Sequence, residues 1–262
     1  MWRVSCDFCQ HTNLNLKRIA KLILNRARRK LCPSGSLNDI PKDPKLLLFD
    51  FDGTIADTLQ NGLDILNEMA AEFGYRPLLG DDIEVARNMT TRQLMRYLGI
   101  STARLPMISL RGIKLLRSRM HRIQPIPDIP ELLYQLRDEK IPMGILTSNS
   151  EENVHTFLGR HHLEIFSFIR SSSRLFGKAH EIRTILRTYK LDAKEIIFIG
   201  DETRDVEAAH HTKVPIVAVG WGYNTRKVLE AQKPQAIIEH PLALLKLLGM
   251  REPSTGIPFT VC

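Results

Sequence analysis

The stretch LLLFDFDGTIADT, residues 46–58, decides how the rest of the chain is read. Leu46, Leu47, Leu48 and Phe49 form a continuous apolar run, the pattern of a short strand covered on both faces. The run ends on Asp50 and Asp52, and Gly53-Thr54 then turns the chain. A buried strand with two carboxylates at its tip needs a reason for them, because an unpaired buried charge is costly.

Working outward, further strand signals fall at Pro142–Leu146, Ser167–Ile169, Ile196–Ile199, Ile216–Val219 and Ala236–Ile238, with the first spanning Lys45–Phe49. Helical spacing falls between them, near Ile129–Lys140, Glu152–His162, Ala179–Tyr189, Arg204–His211 and Thr225–Gln232. Short apolar strands alternating with helices predict an α/β fold, a Rossmann-like doubly wound parallel sheet. In such a sheet ligands bind outside the carboxyl ends of the strands.

Those ends are chemically alike. The strand at 142–146 runs into Thr147-Ser148-Asn149, and the strand at 196–199 runs into Gly200-Asp201-Glu202 with Asp205 close behind. Lys178, in FGKAHE, stands near the start of the helix that precedes the latter strand. Taken singly these pieces are weak: Asp-x-Asp-Gly is often a turn, Thr-Ser-Asn a helix cap and a lysine a surface charge. Their order, each after a strand, is far more specific.

DxDGT, then TSN, then Lys, then GDxxxD resembles the haloacid dehalogenase superfamily, and in particular its phosphoglycolate phosphatase-like branch. The likeness spans residues 45–240, and VGWGYN at 219–224 adds to it. The resemblance implies that Asp50 is a nucleophile forming an aspartyl-phosphate, and that Asp52 is the acid/base that protonates the leaving alkoxide and then activates water. It further implies a Mg²⁺ ion held by Asp50, Asp201 and the backbone carbonyl of Asp52, with Asp205, and less directly Glu202, anchoring that shell. Lys178 would neutralise the phosphoryl oxygens, and Thr147, Ser148, Asn149 and Gly53 would line the phosphate site.

Between Thr58 and Gln124 the strand signals vanish, and Thr58–Gly74, Thr91–Leu98 and Met107–Met120 read as helices. In the resembled family an insertion here is a small helical cap that closes over the site. The expected organisation is an extension at 1–44, a core at 45–57 and 125–250, a cap at 58–124 and a tail at 251–262. Arg87, Asn88 and Arg92, near a turn between cap helices, are expected to touch substrate. Arg104, Arg111, Lys114, Arg117, Arg119 and Arg122 follow with no acid among them, as a solvated face or a basic lid.

The overall charge of +8 is a poor average. Residues 1–40 hold eight Lys or Arg against Asp7 and Asp39, whereas the other 222 residues hold 29 against 27. The basicity therefore belongs to the extension, and no nucleic-acid partner is expected. Leu16, Ile19, Ile23, Leu24 and Leu31 repeat at helical spacing opposite basic residues, as in a helix packed on the domain or a loosely ordered extension, or else in a weak membrane-surface contact or a targeting segment. Cys6, Cys9, Cys32 and Cys262 all lie outside the region that reads as folded, so free thiols and a cytoplasmic, reducing setting are expected.

The implied activity is hydrolysis of a small phosphorylated metabolite, phosphoglycolate among the candidates. Asp52 argues against a dehalogenase, since the resembled dehalogenases lack an acid at that place. Lys114, the single lysine of the cap, shows no sign of the burial that a Schiff-base phosphonatase needs. A phosphomutase of the β-phosphoglucomutase type stays open, as does a membrane-recruited interaction protein on the same fold. Oligomeric state is not encoded in these motifs. His161-His162 and His210-His211 lack metal-ligand company and read as surface side chains.

Overall fold

The computed structural model describes residues 37–172 and 177–250. The basic helical pattern of residues 16–31, the four cysteines and the tail at 251–262 lie outside the described residues. Among the described residues no helix is long and apolar enough to cross a membrane.

In chain order the elements are β1 (Leu46–Phe49), α1 (Leu59–Phe73), α2 (Asp82–Arg87), α3 (Thr91–Leu98), α4 (Leu105–Arg119), α5 (Ile129–Asp138), β2 (Met143–Thr147), α6 (Glu151–His161), β3 (Phe168–Ser171), α7 (Lys178–Tyr189), β4 (Ile196–Gly200), α8 (Thr203–Thr212), β5 (Ile216–Val219), α9 (Arg226–Ala231), β6 (Ala236–Ile238) and α10 (Ala243–Leu247). The six strands form one sheet in the order β3-β2-β1-β4-β5-β6, with every pairing parallel. All the predicted strands are present. The motif reading missed α2 and α10, the first a short polar helix and the second too short for its period to show.

Because β1 is central, its alternate side chains enter two separate cores. Leu47 and Phe49 pack with Ile145, Ile197 and Val217, under α5, α6 and α10. Leu46 and Leu48 pack with Leu146, Phe198 and Ile216, under α7 and α8. That double covering is why the run carries no polar residue until its tip. Strand order reverses around β1: chain progress leads to β2 and β3 on one side, then to β4, β5 and β6 on the other. The ends of β1 and β4 thus flank a switch point, where helices diverge and leave a crevice.

Helices α1–α4 are inserted between β1 and α5. The two chain crossings that join them to the sheet are tied together at Ala56 and Pro125, with Ile126 N–H on Ile55 O at 2.9 Å and Asp57 N–H on Gln124 O at 2.9 Å. Within the insert, Arg111 and Arg119 pair with Glu72 and Glu68 of α1, and Arg104 donates to Phe73 O. The acids missing from the basic stretch in sequence are thus supplied by α1 and, for Arg117, by Glu152 of α6. Ahead of β1, Ile40 is already buried in the core and Lys42 Nζ donates to Leu247 O at 2.7 Å.

Covering on both faces has a measurable consequence. Leu47→Ala and Leu48→Ala should each cost about 2–5 kcal/mol in chemical denaturation, as for fully buried leucines. A cost near zero for either would mean that one face of β1 is solvated.

Candidate active site

The carboxyl ends of β1, β2 and β4 bring the motif residues together. Asp50, immediately past β1, is buried, and its Oδ1 accepts from Phe51 N–H at 2.7 Å. Lys178, the first residue of α7, is equally buried and places Nζ 2.6 Å from Asp50 Oδ2 and 2.6 Å from Asp205 Oδ1. Asp205 also closes the turn into α8, accepting from Glu202 N–H at 3.1 Å through Oδ2. One lysine therefore serves two buried carboxylates.

Asp201, at the end of β4, is held by two donors: Thr54 Oγ1 on Oδ1 at 2.7 Å and Tyr223 N–H on Oδ2 at 2.7 Å. Asp50, Asp201 and Asp205 each present an oxygen within 4.8 Å of the others, all three buried. Gly53 turns the chain over this cluster with φ of 75°, and a Cβ there would stand 2.4 Å from Asp201 Oδ2. Only glycine meets both demands.

Asp52 faces a different set. Its Oδ1 accepts from Asn149 Nδ2 at 3.2 Å, and the nearby Thr58 hydroxyl favours its charged form. Thr147 Oγ1 accepts from Asn149 N–H at 2.9 Å, so that backbone donor is spent within the turn. The Asn149 amide is itself fixed, with Oδ1 taking Ser150 N–H at 2.8 Å and Asn153 Nδ2 at 2.8 Å. The residue thus orients Asp52 through a locked side chain.

Of the remaining expected residues, Glu202 pairs with Arg204, whose guanidinium also reaches Ser148 Oγ at 3.2 Å. Arg87 donates to the carbonyls of Gly222 and Tyr223 at 3.0 and 3.2 Å, and Asn88 Oδ1 accepts from Thr225 Oγ1 at 2.7 Å. Arg92 pairs with Glu207 of α8 at 2.8 Å. These three join the insert to the sheet rather than converging on Asp50. His161 is half-buried against Phe157, ring centroids 4.6 Å apart, with Nε2 at 3.0 Å from Ile123 O, so the surface reading does not apply to it.

Thr54, Thr58, Arg204 and Tyr223 enter the site although the motif reading gave them no role. Arg204 had a signal, as the one cation among Asp201, Glu202 and Asp205. Tyr223 had a weaker one, the glycines around it in GWGYN. Beside the site, a cavity of about 230 Å³ between α7 and α8 is lined by Lys178, Arg183, Arg204, His211, Glu207 and Arg92.

Burial dominates the electrostatics. It pushes the Asp50 carboxyl up to about 7, against the opposing pull of Lys178, and Asp52 up to about 6, against that of Thr58 and Asn149. Asp201 is raised well above the usual carboxylate range by burial and by its neighbour Asp50. Arg204 and Lys178 are both held in the charged form by the acids around them. Asp50 Oδ2, buried, has no hydrogen bond of good geometry. Clustered hard oxygens with more negative charge than the local cations offset fit a divalent cation such as Mg²⁺.

Residues 47–219 match the family model for haloacid dehalogenase-like hydrolases, and the chain belongs to that family. It is therefore a hydrolase by descent. Among its relatives, the phosphoglycolate phosphatase of Synechococcus elongatus is 34% identical over 201 residues, covering 76% of this chain and 95% of the relative. The phosphoglycolate phosphatase of Pseudomonas putida is 26% identical over 230 residues, covering 82% of each chain. In fold, a predicted phosphatase from Clostridium acetobutylicum superposes with a TM-score of 0.67 at 20% identity, over 78% of this chain and 97% of its own.

The raised carboxylates fix the sign of a pH effect. Asp50 and Asp52 bind protons more tightly folded than at their ordinary value of 3.8, so their contribution is full below about pH 4 and is lost as pH rises toward 7. The metal-free protein should lose melting temperature over that window relative to Asp50→Asn, and Mg²⁺ should raise it more at pH 7.5 than at pH 5. Thermal unfolding in chelator and in Mg²⁺ checks both; equal shifts at the two pH values would contradict the assignment.

Proposed function

We propose that this hydrolase is a Mg²⁺-dependent phosphatase of small phosphorylated metabolites, with phosphoglycolate the first substrate to test, working through an aspartyl-phosphate on Asp50. The observation that carries the reading is the buried pairing of Asp50 with Lys178, next to Asp201, while Asp52 is oriented separately by Asn149 and Thr58. Two carboxylates two residues apart thus sit in different environments, as two different roles require.

Asp50 supplies the carboxylate oxygen that attacks phosphorus, and the ester P–O bond breaks as the new one forms. Asp52, raised toward neutrality, gives its proton to the departing alkoxide and then takes one from the water that cleaves the acyl phosphate. Inorganic phosphate leaves and Asp50 is regenerated. Lys178 offsets the charge on the phosphoryl oxygens, and Thr147, Ser148, Asn149 and Gly53 shape the phosphate pocket. Asp50 and Asp201, with the Asp52 carbonyl, would hold Mg²⁺, which supplies charge neutralisation between phosphate dianion and carboxylates. Asp205 and Glu202 keep Lys178 and Arg204 in place. Arg87, Asn88 and Arg92 act on the placement of the cap, given where their polar atoms are engaged.

The relatives named phosphoglycolate phosphatase support that substrate. A panel of phosphomonoesters, assayed for phosphate release with Mg²⁺ and with chelator, tests the reading. Release should need Mg²⁺, and Asp50→Asn should lower it by about 10³-fold or more, given what a lost nucleophile costs. Phosphoryl transfer to a sugar without net release would point to a mutase, and activity surviving in Asp50→Asn would rule the mechanism out.

A further inference from the structure

We propose that Tyr223 is a positioning residue and that residues 222–225 form a strap setting Asp201, the base of the cap and the cap's far turn in one register. The inference rests on the phosphatase reading for its kinetic consequences, though not for its structural ones.

The strap begins at Gly222, which passes so close to Asp201 that a Cβ would lie 2.2 Å from Oδ2. Tyr223 follows, and its backbone N–H is one of the two donors on the Asp201 carboxylate. Its side chain runs in the opposite direction, over Gly53 and against Gly62 of α1. Cβ atoms at those glycines would lie 2.6 Å from the Tyr223 ring and 2.5 Å from its hydroxyl. The phenol ends on Thr58, 3.1 Å from its carbonyl and 3.2 Å from its hydroxyl. Thr58 O already accepts from Gly62 N–H in the first turn of α1, so the phenol bonds the point where the cap helix starts. The Thr58 hydroxyl also lies near Asp52, where it favours the charged carboxylate beside the Asn149 hydrogen bond.

The next two residues reach the other end of the insert. Asn224 donates to the carbonyls of Arg87 and Met89, both at 3.0 Å, while its Oδ1 accepts from Thr203 N–H at the start of α8 at 2.9 Å. Thr225 donates its N–H to Arg87 O at 3.1 Å and its hydroxyl to Asn88. Arg87 returns two bonds to the strap's own carbonyls. Asp201, Thr58 and the 87–89 turn are thus bonded to consecutive residues, and one short segment sets their relative placement.

A residue that only filled space would not separate these functions. Tyr223→Phe keeps the ring between the glycines and removes the bond to Thr58, leaving the backbone N–H on Asp201. Tyr223→Phe should lower kcat about tenfold, a part of the roughly 10²–10⁴ that an acid/base group supplies. The Mg²⁺ concentration for half-maximal activity should stay within twofold of wild type. Thr58→Val removes the hydroxyl beside Asp52 but keeps the carbonyl acceptor, so it should lose at least as much as Tyr223→Phe. The double variant should lose less than the product of the two single losses, because the phenol acts through the residue that Thr58→Val alters. Hydrogen exchange of the metal-free protein gives a second readout. Tyr223→Phe should speed exchange at residues 56–62 and Asn224→Ala at residues 87–90, with strands β1 and β4 unchanged. Multiplying losses, or exchange identical to wild type in both variants, would overturn the proposal. A wild type inactive on every phosphomonoester would instead remove the phosphatase reading, and exchange would still decide the strap.

Discussion

Lys178 is the counter-ion on which the acidic edge of the sheet depends. It lies 2.6 Å from a carboxylate oxygen of Asp50 and 2.6 Å from one of Asp205, and all three are out of water. Removing one partner of such a group strands an uncompensated buried charge, which costs about 3–5 kcal/mol. The fold must therefore deliver α7, β1 and α8 to one point with little slack. The aromatic ring of Phe198, 5.6 Å beneath the Lys178 ammonium, and the close turn at Gly53 serve that same end.

The same argument explains why the charges do not cancel. Asp201 has a carboxylate oxygen within 4.8 Å of one on each of the other two acids, and among the described residues its hydrogen-bond donors, Thr54 and the Tyr223 N–H, are neutral. Arg204 adds positive charge nearby but commits it to Glu202 and Ser148. Neutral donors orient a carboxylate without neutralising it. The cluster is a concentration of oriented negative charge, assembled from elements on either side of the switch point.

The sheet and the motif-bearing half of the site were legible because their signals are local. A run covered on both faces shows as Leu46–Phe49 without reference to any other residue, and Asp50, Asp52, Thr147 and Asp201 stand at or just past strand ends. Thr58, Arg204 and Tyr223 were not legible because their meaning lies in partners remote in the chain. Tyr223 and Thr58 are 165 positions apart, and nothing in GWGYN says which helix the phenol will meet. Arg204 showed only its place among Asp201, Glu202 and Asp205, and its burial against Ser148, 56 positions away, comes from the fold. The basic stretch at 104–122 was ambiguous for the same reason, since its acids, Glu68, Glu72 and Glu152, belong to two other helices.

The way the insert is attached bears on how it can work. At its base the two crossings are joined by backbone hydrogen bonds and flanked by buried Ile55, Met120, Ile123 and Ile126, a seam that would expose apolar surface if parted. At its far turn the attachment is polar: Arg87, Asn88 and Met89 meet Gly222, Tyr223, Asn224 and Thr225 through hydrogen bonds alone. Such bonds exchange with water at a net cost of about 1 kcal/mol each. Opening is therefore cheaper at the polar turn than at the base, and an insert that swings about its apolar seam would part first from the loop that also holds Asp201.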